Sequence, residues 1–225
     1  GSIRMFNAAL AATPAGAEML KGPLTADAIN SEEFADAFRT VATLDQQNGS
    51  ANSSVNANDF AADFNNGLSA VFINGVGGGS QFAGSDNFVS CIYPNSVAIS
   101  SANTGLYVAN DLSDAQKELA LEFIKYMTSE EVQSRYFLET SSNPINENVD
   151  IQKLAQESGD PTALKLAEAC DKCNKADTIV LAIDVCWGND VGGALQNKFA
   201  ECAVAGTDIE AKLAELQAEL TALIG

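Results

Sequence analysis

The stretch NDFAADFNNGLSAVFING, residues 58–75, changes its hydrophobic period partway along. Phe60 and Phe64 stand four apart, the spacing of one helix face, and Asn58 offers an N-cap. Gly67 closes that helix, and Leu68 to Ile73 is an apolar run of strand length. Asn74-Gly75 then turns the chain into a glycine-rich stretch over 75–79. A short helix that hands over to a short strand is a building unit of layered α/β or α+β proteins.

Working outward, helices and strands continue to mix. Upstream, Asn30 reads as an N-cap with Glu33 at the third helical position, and Phe34, Phe38, Val41 and Leu44 follow at helical spacing to Asn48-Gly49. Residues 1–30 are Ala-rich and broken by Pro14, Gly22 and Pro23, which predicts a short helix and a loop. Downstream, Phe88–Tyr93, Val97–Ile99 and Leu106–Val108 read as short strands. Ser113 and Gln116 form a capping box ahead of a stripe of Leu119, Ala120, Phe123, Ile124 and Met127. Thr128 with Glu131 predicts the next helix start, and Pro144 lies in an extended segment. Helices are expected near 150–157, 161–175 and 189–204, with a strand at 178–183. Thr207 with Glu210 caps a last helix over 208–223.

Composition narrows the function. The 225 residues hold 12 Lys+Arg against 30 Asp+Glu, a formal charge of −18, and no histidine. Without histidine there is no Ser-His-Asp or Cys-His site and no His-ligated metal. The acidic balance argues against nucleic acid and against anionic lipid surfaces. The 46% hydrophobic content is enough for a core. No run of eighteen apolar residues is present. Gly1-Ser2 has the look of a cloning remnant, so an expressed piece of a longer protein is expected. Five cysteines (91, 170, 173, 186 and 202) are an odd number and make no disulfide framework.

Several ordered segments together carry a family resemblance. They are the helix ending Asp45-Gln46-Gln47-Asn48-Gly49, the quoted stretch 58–75, a strand ending Tyr93-Pro94, DLSDAQKELALEFIKYMTSEEVQSRYF at 111–137, SSNPINENV at 141–149, and AVAGTDIEAKLAELQAEL at 203–220. In this order they resemble the C-terminal half of extracellular solute-binding proteins that feed ABC transporters. The similarity is to family 1, the sugar-binding group that includes maltose-binding protein. It covers about residues 30–225.

The resemblance implies an α/β, periplasmic-binding-protein-like (type II) fold. It would be incomplete here: mostly the second lobe plus a piece of the first. Residues 95–140 would belong to the first lobe, and 1–94 and 141–225 to the second. It implies a binding protein and not an enzyme. Such a protein captures a small solute, a carbohydrate, between lobes that close and present it to membrane permease subunits. The full-length protein would be an extracellular lipoprotein or periplasmic. A related protein used for sensing or surface interaction is the alternative, and a carboxylate-based hydrolase the third. No cofactor and no metal are expected, nor a nucleic-acid partner. Self-association through faces left uncovered is an expected further partnership.

Candidate binding residues follow from sugar chemistry, which needs a flat apolar surface beside polar groups. Trp187, the only tryptophan, sits in Asp184-Val185-Cys186-Trp187-Gly188-Asn189-Asp190 ahead of a helix start. Trp187 with Asp184, Asn189 and Asp190 supplies both kinds of surface; the competing reading is a buried Trp that anchors the helix. In the resembling family an aromatic near this point often stacks on ligand. Asn74 is a further hydrogen-bonding candidate. The aromatic that often follows such an Asn-Gly in sugar-binding relatives is absent: here the chain reads Val76-Gly77-Gly78-Gly79-Ser80. That stretch reads as a flexible turn, with an anion-binding loop as the second reading. No Lys follows to complete a phosphate loop. Cys170-Asp171-Lys172-Cys173 is a CxxC late in its helix, read as small side chains on an apolar face. Glu32-Glu33 and Glu130-Glu131 read as dipole-complementing first turns.

Overall fold

The computed structural model describes residues 1–48, 57–76, 78, 81, 88–101 and 105–225. In chain order the helices begin with α1 (Ser2–Ala11), α2 (Pro14–Met19), α3 (Ala26–Ile29), α4 (Glu32–Asn48) and α5 (Ala57–Asn65). Strand β1 (Val97–Ser100) precedes α6 (Asp114–Met127), α7 (Glu130–Thr140), α8 (Ile151–Ser158) and α9 (Pro161–Asn174). Strand β2 (Thr178–Leu181), α10 (Ile183–Cys186), α11 (Asn189–Cys202) and α12 (Ile209–Ile224) complete the chain. Among these helices none is long and apolar enough to cross a membrane.

The chain divides into two compact units. One comprises residues 1–56, 92–103 and 175–225, the other 57–91 and 104–174. These borders describe compactness within the chain.

In the first unit α1 and α4 pack together against α11 and α12. Phe6 meets Phe34 edge-on at 5.1 Å, and Phe38 stacks on Phe199 at 5.1 Å. Leu195, Leu213, Leu216 and Leu220 close the same core. The fold back from α1 to α2 requires glycine at position 16, where a Cβ would stand 2.0 Å from the Leu10 carbonyl oxygen. Strands β1 and β2 form a parallel pair in register Val97↔Thr178 to Ser100↔Leu181. Ser96 ties their starts by accepting the Asp177 N–H at 3.0 Å.

In the second unit the core is smaller: Phe137, Ala155, Ala163, Leu166, Ala167 and Cys170, with Val76, Ile151 and Leu154 against it. α8 lies along α9, and Gln152 donates to the Ala167 carbonyl at 2.9 Å. α6 starts with the expected capping box of Ser113 and Gln116. None of its residues is buried.

Several local expectations are corrected. Leu68–Ile73 and Leu106–Val108 form no strand, and Phe88–Tyr93 contributes only a single bridge, Tyr93 to Val97. A strand needs a partner edge, and these apolar runs find none among the described residues. Three helices begin one residue later than read. Ser31, not Asn30, accepts the Phe34 N–H at 3.2 Å. Ser129, not Thr128, accepts the Val132 N–H at 3.4 Å. Asp208, not Thr207, accepts the Ala211 N–H at 3.1 Å. The Ala-rich start is more helical than expected, with α1, α2 and α3 in place of one short helix. Most of the loop read between Gly49 and Asn58, and Gly77, Gly79 and Ser80, lie outside the described residues.

Candidate ligand-binding site

Four of the five candidates lie on one short path in the first unit, from α10 into α11. β2 ends at Leu181, and the backbone turns at once into α10. Asn7 on α1 holds this turn. Its side chain is 0% exposed. It accepts the Ile183 N–H at 2.9 Å and donates to the Leu181 carbonyl at 3.3 Å. A buried amide with both ends engaged replaces two backbone partners the turn would otherwise lack.

One helical turn earlier, Arg4 reaches Asp184 with both terminal guanidinium nitrogens, at 2.5 and 3.2 Å. This forked hydrogen bond holds the Asp184 carboxyl below the usual carboxylate range, against an opposing effect of burial. Gly192, one turn into α11, leaves room beside the Asp184 Cβ.

Trp187 is 9% exposed. Its ring stacks on Phe34 at 6.4 Å, and its indole N–H donates to the Met19 carbonyl at 3.4 Å. Gly188 follows with φ of 93°, a left-handed conformation that suits glycine, and opens α11. Asn189 and Asp190 form the exposed first turn of α11, where Asp190 complements the helix dipole. The path therefore carries an apolar anchor underneath and hydrogen-bonding groups on top. That arrangement can bind hydroxyl groups.

Asn74 belongs to the second unit. It is exposed, and its side-chain oxygen accepts the Gly75 N–H at 2.8 Å. Sequence reading missed Arg4 and Asn7. Their partners lie more than 170 positions away, and an Ala-rich helix advertises neither.

Two open grooves among the described residues lie elsewhere. One of about 310 Å³ runs between α1 and α4 and is lined by Ala9, Thr13, Glu32, Glu33, Asp36, Ala37 and Thr40. A second, over α6, is lined by Gln116, Leu119, Ala120 and Phe123. Among the described residues no group of His, Cys, Asp or Glu is arranged to hold a metal ion.

Residues 3–162 match the family model of the bacterial extracellular solute-binding proteins. The chain belongs to this family. The resemblance read from the ordered segments is thereby borne out. As a family member the chain has an α/β, partial solute-binding-protein fold. It superposes with a TM-score of 0.91 on a solute-binding protein of Streptococcus pneumoniae, solved in complex with the blood group A-trisaccharide. The two are 39% identical over 98% of this chain and 57% of the other. The chain thus spans 57% of the length of the structure it matches. No curated protein matches the chain.

Proposed function

We propose that the chain is part of an extracellular protein that captures a carbohydrate and delivers it to the permease subunits of an ABC importer, without catalysis. The observation that carries the reading is the likeness to the streptococcal protein, at 39% identity and a TM-score of 0.91. That protein was solved with a trisaccharide bound. The local chemistry agrees. Asn189 and Asp190 offer a donor and an acceptor at a helix start, and the exposed Asn74 offers both. Asp184 would orient hydroxyls while Arg4 holds it. Trp187 supports the path from below. The protein is extracellular and tethered as a lipoprotein, or periplasmic.

Calorimetric titration with the blood group A-trisaccharide tests the reading on the chain and on the full-length protein that carries it. Saturable heat, weakened roughly tenfold or more by Asp190→Ala, is the expected result. A panel of oligosaccharides without heat, beside a peptide or anion that binds, overturns it.

A further inference from the structure

Two thiols on α9 have no part in the ligand reading. Cys170 is fully buried against Phe137, Ala155, Leu166 and Ala167 in the core of the second unit. Cys173 lies one turn later and is half-buried. Between them, Lys172 reaches away to the Ser90 carbonyl at 2.7 Å and to Glu168 at 2.5 Å. The two cysteines thus share one face of the last turn while Lys172 serves another.

Helix geometry places Cα atoms three residues apart at about 5 Å. That lies inside the roughly 4.4–6.8 Å Cα window of disulfides, and the last turn of α9 must tighten to bring the Cβ atoms to the roughly 3.5–4.5 Å that the bond also needs. The pair is close enough to interact: Cys173 adds to the burial that raises the Cys170 thiol. All five cysteines are free. The chain belongs to an extracellular family, and outside the cell thiols meet oxidants. With no metal cluster among the described residues, two adjacent thiols have one ordinary fate in that setting.

We infer that Cys170 and Cys173 are an oxidisable pair that closes, on meeting a low-molecular-weight disulfide, into a one-turn disulfide stapling the end of α9. The accessible Cys173 loses its proton, and its thiolate attacks one sulfur of the external disulfide. That S–S bond breaks, and one thiol leaves with a proton. Cys170 then loses its proton and attacks the Cys173 sulfur, releasing the second thiol. Two protein thiols and one external disulfide become one protein disulfide and two external thiols. Burial pushes the Cys170 thiol up to about 11 and raises Cys173 as well, so closure is slow at neutral pH. It speeds up about tenfold per pH unit over pH 7–9 as thiolate accumulates.

The test incubates the folded 225-residue chain with oxidised glutathione and then blocks remaining thiols. Trypsin cuts after Lys172, between the two cysteines. Closure leaves the two flanking peptides joined until a reductant separates them, and leaves Cys91, Cys186 and Cys202 outside that bond. Cys170→Ser stops the reaction at glutathione on Cys173, and Cys91→Ser leaves closure unchanged. The inference is overturned if the unaltered chain also stops at glutathione on Cys173. It is overturned equally by Cys173 joined to Cys91, or by both thiols still fully blockable after incubation at pH 9.

Discussion

Helices α4 and α6 are similar as sequences and opposite as structures. Each has an acidic first turn and an apolar stripe at helical spacing. α4 buries Phe34, Ala35, Ala37, Phe38, Val41 and Ala42 against α1, α11 and α12. α6 buries none of its residues, and Leu119 is 71% and Phe123 54% exposed. Amphipathicity states that a helix has a face to cover. It does not state that a cover is present. The difference also marks where the energy of the described fold resides, since apolar area stabilises only where it leaves water.

The largest test of this contrast is a matched pair of truncations. Phe38→Ala empties a fully buried site stacked on Phe199 and should cost about 3–5 kcal/mol. Urea unfolding followed by Trp187 emission reads it, because that tryptophan packs in the same core. A loss below about 1 kcal/mol would show that the first core is looser than its packing implies. Next comes Asn7→Leu, which leaves the Ile183 N–H and the Leu181 carbonyl without their side-chain partner. About 2–3 kcal/mol should be lost, with faster amide exchange at Ile183.

A smaller effect, about 1 kcal/mol, is expected from Asp184→Asn, because the Arg4 pair is partly exposed. Its pH dependence has a definite sign. The folded carboxyl is depressed below its ordinary 3.8, so the contribution is present above that value and lost as pH falls through the folded one. Acid titration of stability should therefore flatten below pH 4 in the variant compared with the parent. An identical acid limb in both would remove Arg4–Asp184 from the account. The smallest effect belongs to α6: Phe123→Ser should change stability by less than about 0.5 kcal/mol by circular dichroism. A cost near that of Phe38→Ala would mean the α6 face is covered in solution.

Much of the helical layout was legible before any fold was seen. The box of Ser113 and Gln116 placed α6, and Phe34, Phe38 and Val41 placed the buried face of α4. Cap positions were legible only to one residue. At Asn30-Ser31, Thr128-Ser129 and Thr207-Asp208 two good caps stand side by side, and the second is used each time. Local chemistry ranks such neighbours nearly equally. Strands were less legible. Leu68–Ile73 has the composition of a strand, but pairing is a property of two segments. Val97–Ile99 and 178–183 were each identified as a strand; their pairing was not, because the two lie 81 positions apart. The candidate site was legible as a run, Asp184 to Asp190, without the α1 residues that hold it.

By itself the sequence determined the helical periods, several starts and stops to within a residue, the exclusion of histidine chemistry and the order of segments that marks the family. These are local quantities, set by side-chain spacing and by caps within a few residues. Only the tertiary structure decided that Trp187 stacks on Phe34, that Arg4 engages Asp184 across 180 positions, and that the stripe of α4 is covered while that of α6 is not. Each of those outcomes depends on a second surface, and no residue specifies its partner until the chain has folded back upon itself.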